Sequence, residues 1–177
     1  MVTISYTFVG HEDRNKRITR QKQSEAASRL LDKMLSDAGI YNYRIERDKN
    51  GRPFLATHPN VDFNYSHSED IVVCVLSVNE GRVGIDVEKN SRRMPEERQK
   101  RFIERFFSES EIESRDDLIS MWTRKEAYLK YIGTGLSEGF KNTDPMRDKR
   151  VRFERIAIGE YTVTVCLERD ASLLFKG

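Results

Sequence analysis

Residues 61–88 read VDFNYSHSEDIVVCVLSVNEGRVGIDVE. Val61 to Tyr65 and Ile71 to Val78 have the composition of strands, and Asn79-Glu80-Gly81 turns the chain into a third, Arg82 to Glu88. Ile71 to Leu76 is the longest uninterrupted apolar run, too short to cross a bilayer. Cys74 lies in that run and Cys166 in a similar one, TVTVCL. Both read as small buried hydrophobes, not as partners in a disulfide framework.

Upstream, Val2, Ile4, Tyr6 and Phe8 alternate with Thr3, Ser5 and Thr7, which predicts a half-buried strand. A basic polar stretch, Asp13 to Lys22, precedes SEAASRLLDKMLSDAG, where Ala26, Leu30, Met34 and Ala38 fall at helical spacing and Gly39 supplies the stop. Tyr41 to Glu46 alternates again, and Asp48-Lys49-Asn50-Gly51 predicts a hairpin turn. Downstream, Pro95 opens a helix with Phe102, Ile103, Phe106 and Phe107 on one side, and Ser108 and Glu111 have capping-box spacing. Asp116 to Ile132 is the strongest helix signal, with Leu118, Met121, Trp122, Tyr128 and Leu129 as its apolar side and Gly133 as its end. Arg150 to Ala157 and Tyr161 to Leu167 then pair around Ile158-Gly159-Glu160. The expected class is α+β, with two sets of antiparallel strands each accompanied by helix, divided as 1–82 and 83–177.

A chain of 177 residues holds one generous domain or two closely packed halves. With 37% apolar and 34% charged residues, the surface is heavily charged and the core lean. The 31 Lys and Arg nearly balance 29 Asp and Glu, a net charge of +2, which argues against a nucleic-acid or membrane coat. VTISYTFV has no basic region before it and runs directly into HEDRNKR, so no signal peptide is visible and the expected location is the cytoplasm.

Four short patterns carry candidate chemistry. In Gly84-Ile85-Asp86-Val87-Glu88 the two acids share one face of a strand, where a divalent cation would relieve their repulsion. Alone, the same pattern is a solvated acidic strand face. Glu126 and Lys130, four apart on the helix, are either a surface ion pair or a metal ligand beside a cation for an anionic group. Asn64-Tyr65-Ser66-His67-Ser68 ends a strand with a hydroxyl and an imidazole that would hold a phosphate or merely cap the next turn. Ser66 and His67 point to opposite faces, so they are no nucleophile pair. Arg52 in Asn50-Gly51-Arg52-Pro53 reaches an anion or is only a turn residue.

The order of these patterns says more than any one of them. NGRPF, FNYSHS, VGIDVE, RFFSESE and WTRKEAYLKYIGTGL follow one another as they do in the 4′-phosphopantetheinyl transferase superfamily. The chain resembles its surfactin-synthetase-activating type in a compact version, densely from about Gly51 to Leu136. The resemblance implies a pseudo-dimer of two similar halves, working as a monomer, with coenzyme A in the cleft between them. It implies transfer of the phosphopantetheine arm of coenzyme A to a serine of an apo acyl- or peptidyl-carrier protein, releasing adenosine 3′,5′-bisphosphate. Mg²⁺ would sit on Asp86, Glu88 and Glu126. Lys130 and Lys125 would lie near the coenzyme phosphates, Ser66 and His67 would contact phosphate, and Arg52 would stand where relatives have lysine. Beyond the resemblance, Glu126 is the expected base for the incoming serine, directly or through a metal-bound water.

Lys16, Arg17 and Arg20 are further candidates for the 3′-phosphate. Arg92, Arg93, Arg98, Lys100, Arg101 and Arg105 form a basic stretch suited to an acidic carrier, and Glu96, Glu97 and Glu104 equally make it a solvated helix face. The same acids and lysines would serve a Mg²⁺-dependent phosphohydrolase. A non-catalytic coenzyme A or carrier-binding module is the third reading, although binding alone does not require all three acids.

Overall fold

A run of alternating and continuous apolar residues folds here as two sheets laid face to face, antiparallel except for one short strand, in a computed structural model that describes residues 1–10, 16–91, 94–134, 140 and 142–175, with backbone alone at 16–18. The first sheet is built from β1 (Val2–Phe8), β4 (Val61–Ser68), β5 (Ile71–Val78) and β9 (Leu173–Phe175) in the order β4-β5-β1-β9, with the short separate hairpin β2 (Ile45–Arg47) and β3 (Pro53–Leu55) between β1 and β4 in the chain. The second contains β6 (Val83–Lys89), β7 (Val151–Ile158) and β8 (Tyr161–Glu168) in the order β6-β8-β7. Helix α1 (Lys16–Asp37) covers the first sheet and α4 (Leu118–Ile132) the second, while α2 (Glu96–Phe106) meets α4 through Phe102 and Phe106 against Trp122, and α3 (Glu109–Glu113) through Glu111 and Lys125.

The continuous run in β5 reflects burial on both faces. Ile71, Val73 and Val75 join Val2 and Ile4 against Val83, Ile85, Val87, Val163 and Val165 of the other sheet. Cys74 and Leu76 face the opposite way, onto Leu31 and Leu35 of α1. The outer face of the second sheet receives Ala127, Tyr128 and Tyr131 of α4 against Val151 and Cys166. Both cysteines are free and buried, as their surroundings require. Among the described residues no helix is long and apolar enough to cross a membrane.

Several elements differ from the sequence expectation. Helix α1 begins at Lys16 and not near Ser24, because its sheet-facing stripe continues through Gln23, a polar residue that an apolar count passes over. Gln23 is buried and donates to the carbonyl of Glu69 at 2.7 Å. Strand β2 keeps only Ile45 and Glu46 of the expected six residues and adds Arg47, and β4 runs on to Ser68. Strand β9, unforeseen, pairs in parallel with β1, so the end of the chain completes the first sheet.

Helix α4 lies on β6 more closely than side chains normally permit. A Cβ on Gly84 would stand 2.1 Å from the Ala127 carbonyl oxygen and 2.5 Å from the Tyr131 nitrogen, both backbone atoms that cannot swing aside. Gly84→Ala should therefore destabilise the fold by roughly 3 kcal/mol in urea unfolding. Gly10→Ala, whose new methyl meets nothing within 4 Å, should leave the midpoint unchanged. Equal midpoints for the two variants would show that the α4–β6 contact is looser than described.

Candidate active site

Strand β4 turns Asp62, Asn64, Ser66 and Ser68 toward β6, since alternate residues of a strand share a face. Each finds a partner there. Asp62 Oδ2 accepts from Val83 N at 2.9 Å and Asn64 Oδ1 from Ile85 N at 3.2 Å. Ser66 Oγ donates to Asp86 Oδ1 at 2.8 Å, and Ser68 Oγ to Glu88 Oε2 at 3.1 Å. Asp86 and Glu88 are thus presented at the seam between the two sheets.

Helix α4 supplies the other side. Met121, Tyr128 and Leu129 of the expected apolar side are buried, and the buried surface also takes in Thr123, Glu126, Ala127 and Tyr131, two of them polar residues that an apolar pattern passes over. Thr123 is anchored by a buried 2.7 Å hydrogen bond to Thr164 of β8. Asp117 caps the helix by accepting from Ser120 N at 3.0 Å, and Gly133 ends it in the left-handed conformation, φ 75°. One turn before that end, Lys130 Nζ donates to Asp86 Oδ1 at 2.7 Å, to Ser66 Oγ at 2.8 Å and to the Ile85 carbonyl at 3.0 Å.

Glu126 is 6% exposed, and its pKa is raised to about 7 by burial and by Asp86 and Glu88, with Lys130 opposing. Asp86 Oδ2 is buried with no partner. An unpartnered carboxylate oxygen in a crowd of acids is the chemistry of a cation site, and the hard oxygens of Asp86, Glu88 and Glu126 suit Mg²⁺. The three do not stand as a ready-made cluster, and no group of three or more potential metal-ligating acids, histidines or cysteines does so among the described residues. A cavity of about 240 Å³ lies alongside, lined by Asn50, Arg52, Asn64, Tyr65, Glu126 and Lys130 among others.

His67 lies on the opposite face of β4 from Ser66 and is exposed. Packing around the imidazole and the nearby Lys130 ammonium hold its pKa below the usual value. Two expected coenzyme cations are committed within the protein. Arg52 makes a bidentate pair with Asp62 at 2.7 Å and is only 8% exposed. Lys125 is wholly buried; it donates to Glu111 Oε2 at 2.7 Å and to the Thr143 carbonyl, and does not reach the cavity. Glu111 Oε2 also accepts from Ser108 N at 2.9 Å, so the expected capping-box contact at the start of α3 doubles as the lysine's counter-charge. Lys16 and Arg17 carry no described side chains, and Arg92, Arg93, Gly135 and Leu136 lie outside the described residues.

A family model, "4'-phosphopantetheinyl transferase superfamily", matches residues 82–174, just over half of the chain. The chain belongs to the 4′-phosphopantetheinyl transferase superfamily. It is similar to the 4'-phosphopantetheinyl transferase gsp of Aneurinibacillus migulanus, 34% identical over 104 residues that cover 54% of this chain and 40% of that protein. It is similar to psf-1 of Bacillus pumilus, 34% identical over 110 residues (55% and 43%), and to Sfp of Bacillus subtilis strain 168, 31% identical over 103 residues (53% and 43%). The chain thus spans well under half the length of these relatives.

Asp62 was not singled out by sequence, Asn64 and Gly84 entered only as members of their motifs, and Glu111 only as a capping residue. The polar alternation of β4 beside an all-apolar β5 was the available signal for Asp62 and Asn64. Because breaking a buried pair strands a charge, Glu111→Gln should cost about 3–5 kcal/mol of stability. The apolar double variant Lys125→Met/Glu111→Leu should be distinctly more stable than either single change in denaturant melts. A double variant that loses the sum of the two would contradict the pair as described.

Proposed function

We propose that this chain transfers the 4′-phosphopantetheine arm of coenzyme A to a serine of an apo acyl- or peptidyl-carrier protein. The observation that supports it is the meeting of Asp86, Ser66, Glu126 and Lys130 at the seam of two sheets in a member of this superfamily. Coenzyme A would lie in that seam, with the two α+β halves acting as a pseudo-dimer.

The carrier serine Oγ attacks the β-phosphorus, forming a new P–O bond as the bridging P–O bond breaks and adenosine 3′,5′-bisphosphate leaves. The serine proton passes to the Glu126 carboxylate, whose burial places its pKa near neutrality and suits it to the task. Lys130, already drawn into the seam by Asp86 and Ser66, neutralises charge on the pyrophosphate oxygens. Ser66 contributes a hydroxyl beside it, and His67 with Arg20 offers polar groups toward the 3′-phosphate. A Mg²⁺ held by Asp86, Glu88 and Glu126 would supply further charge to the pyrophosphate.

The acidic carrier docks on α2, which has no buried residue and displays Arg98, Lys100, Arg101 and Arg105. Its Glu96 and Glu97 complement the helix N-terminus and Arg105 the C-terminus, so part of this charge also serves the helix itself.

Intact-mass spectrometry of apo carriers incubated with coenzyme A, Mg²⁺ and this protein tests the reading. One phosphopantetheine should appear on the carrier, and Asp86→Ala should abolish it. Glu126→Gln should slow it by about a hundredfold or more. No gain on fatty-acid, polyketide or peptidyl carriers despite coenzyme A binding would overturn the reading. Release of the bisphosphate without any carrier would identify a hydrolase instead.

A further inference from the structure

The C-terminal end of α4 is capped by side chains from elsewhere in the fold. The last carbonyls of a helix have no partner within it. Here Asn50 Nδ2 donates to the Gly133 carbonyl at 2.7 Å, Arg82 Nη1 to that of Ile132 at 3.3 Å, and Arg52 Nε to that of Lys130 at 3.1 Å. Arg52 also donates through Nη2 to the Val83 carbonyl at 2.9 Å, while Asp62, its bidentate partner, accepts from the Val83 N–H. Four of the five guanidinium N–H groups are engaged in this way.

We propose that Arg52 is a positioning residue: oriented by Asp62, it ties the backbone of Lys130 to the open edge of β6 and so fixes where the Lys130 ammonium stands over Asp86 and Ser66. The role rests on the transferase reading above for its consequence in turnover, but not for its geometry. The turn from Asp48 to Gly51 delivers the guanidinium, with Asp48 Oδ1 accepting from Asn50 N at 2.8 Å and from Arg52 N at 3.0 Å. Gly133 leaves it room, since a Cβ there would stand 3.2 Å from Arg52 Cδ and 3.0 Å from Arg82 Nη2. A phosphate taking Arg52 as its ligand would have to strip it from Asp62 and leave that carboxylate without its counter-charge. Lysine would keep the positive charge but lose the planar fork that holds three elements at once.

The test is steady-state kinetics of Arg52→Lys, Asp62→Asn and the double variant, with folding checked by circular dichroism. Displacement of Lys130 should lower kcat by about 10–100-fold in each single variant while KM for coenzyme A stays within about threefold. The double variant should be no worse than the poorer single, because the two residues act as one unit. A retained kcat with KM for coenzyme A raised tenfold in Arg52→Lys would make Arg52 a phosphate contact and overturn the proposal, as would normal kcat in Asp62→Asn. A second readout is independent of turnover: the acylation rate of Lys130 by acetic anhydride, followed by peptide mass spectrometry. It should rise about threefold or more in both single variants as the side chain loosens, and an unchanged rate would overturn the proposal. If the unmodified protein modifies no carrier, the transferase reading fails, and the acylation rates alone decide the role of Arg52.

Discussion

On the free edge of β6 four backbone groups are met by side chains. Val83 N bonds to Asp62 and Val83 O to Arg52; Ile85 N bonds to Asn64 and Ile85 O to Lys130. An edge left open would invite pairing with another chain or leave buried polar groups unmet. Closing it with side chains from β4, the β2–β3 turn and α4 draws all three onto one line, and Asp86 and Glu88 follow on the same strand. The polar seam therefore arises from the way the two sheets are joined, and the candidate site is its solvent-reaching end.

This arrangement explains why cations of similar appearance have different fates. Lys130 keeps 26% of its side chain exposed and is held by groups that a more strongly charged ligand could replace. Arg52 and Lys125 are almost or wholly buried, each with a carboxylate at 2.7 Å, and each would lose more by leaving than by staying. Among the acids at the seam, Asp86 has a buried oxygen still lacking a partner; Glu111 Oε1 also lacks one, but that carboxylate is buried with Lys125 away from the seam. The seam thus has one accessible ammonium and one unsatisfied carboxylate oxygen side by side, a combination suited to a phosphate and its counter-ion.

Much of the fold was legible in the sequence because the signals were local. The doubly buried β5, the Asp48–Gly51 turn, Gly39 and Gly133 as helix ends, and the Ser108–Glu111 contact each depend on residues close in the chain. Strand β9 was not legible, since three residues pairing in parallel with the start of the chain leave no period to detect. On α4 the buried Met121, Tyr128 and Leu129 were legible, whereas Thr123, Glu126 and Lys130 were missed as part of the packed surface because they are polar residues facing a polar seam. At the site, residue types and motif order brought attention to Asp86, Glu88, Glu126, Ser66 and Lys130. They did not separate ligand-ready cations from structural ones. Asp62 lies 10 residues from Arg52 and Glu111 lies 14 from Lys125, each on a different element, and only the fold brings them together.

The central claim, that the seam of β4, β6 and α4 delivers Asp86 to a cation beside the coenzyme, is tested most directly by Mn²⁺ binding followed by electron paramagnetic resonance. The account predicts a single tight Mn²⁺ site per chain, tightened further by coenzyme A and lost in Asp86→Asn. Unchanged Mn²⁺ affinity in Asp86→Asn, with or without coenzyme A, would contradict it.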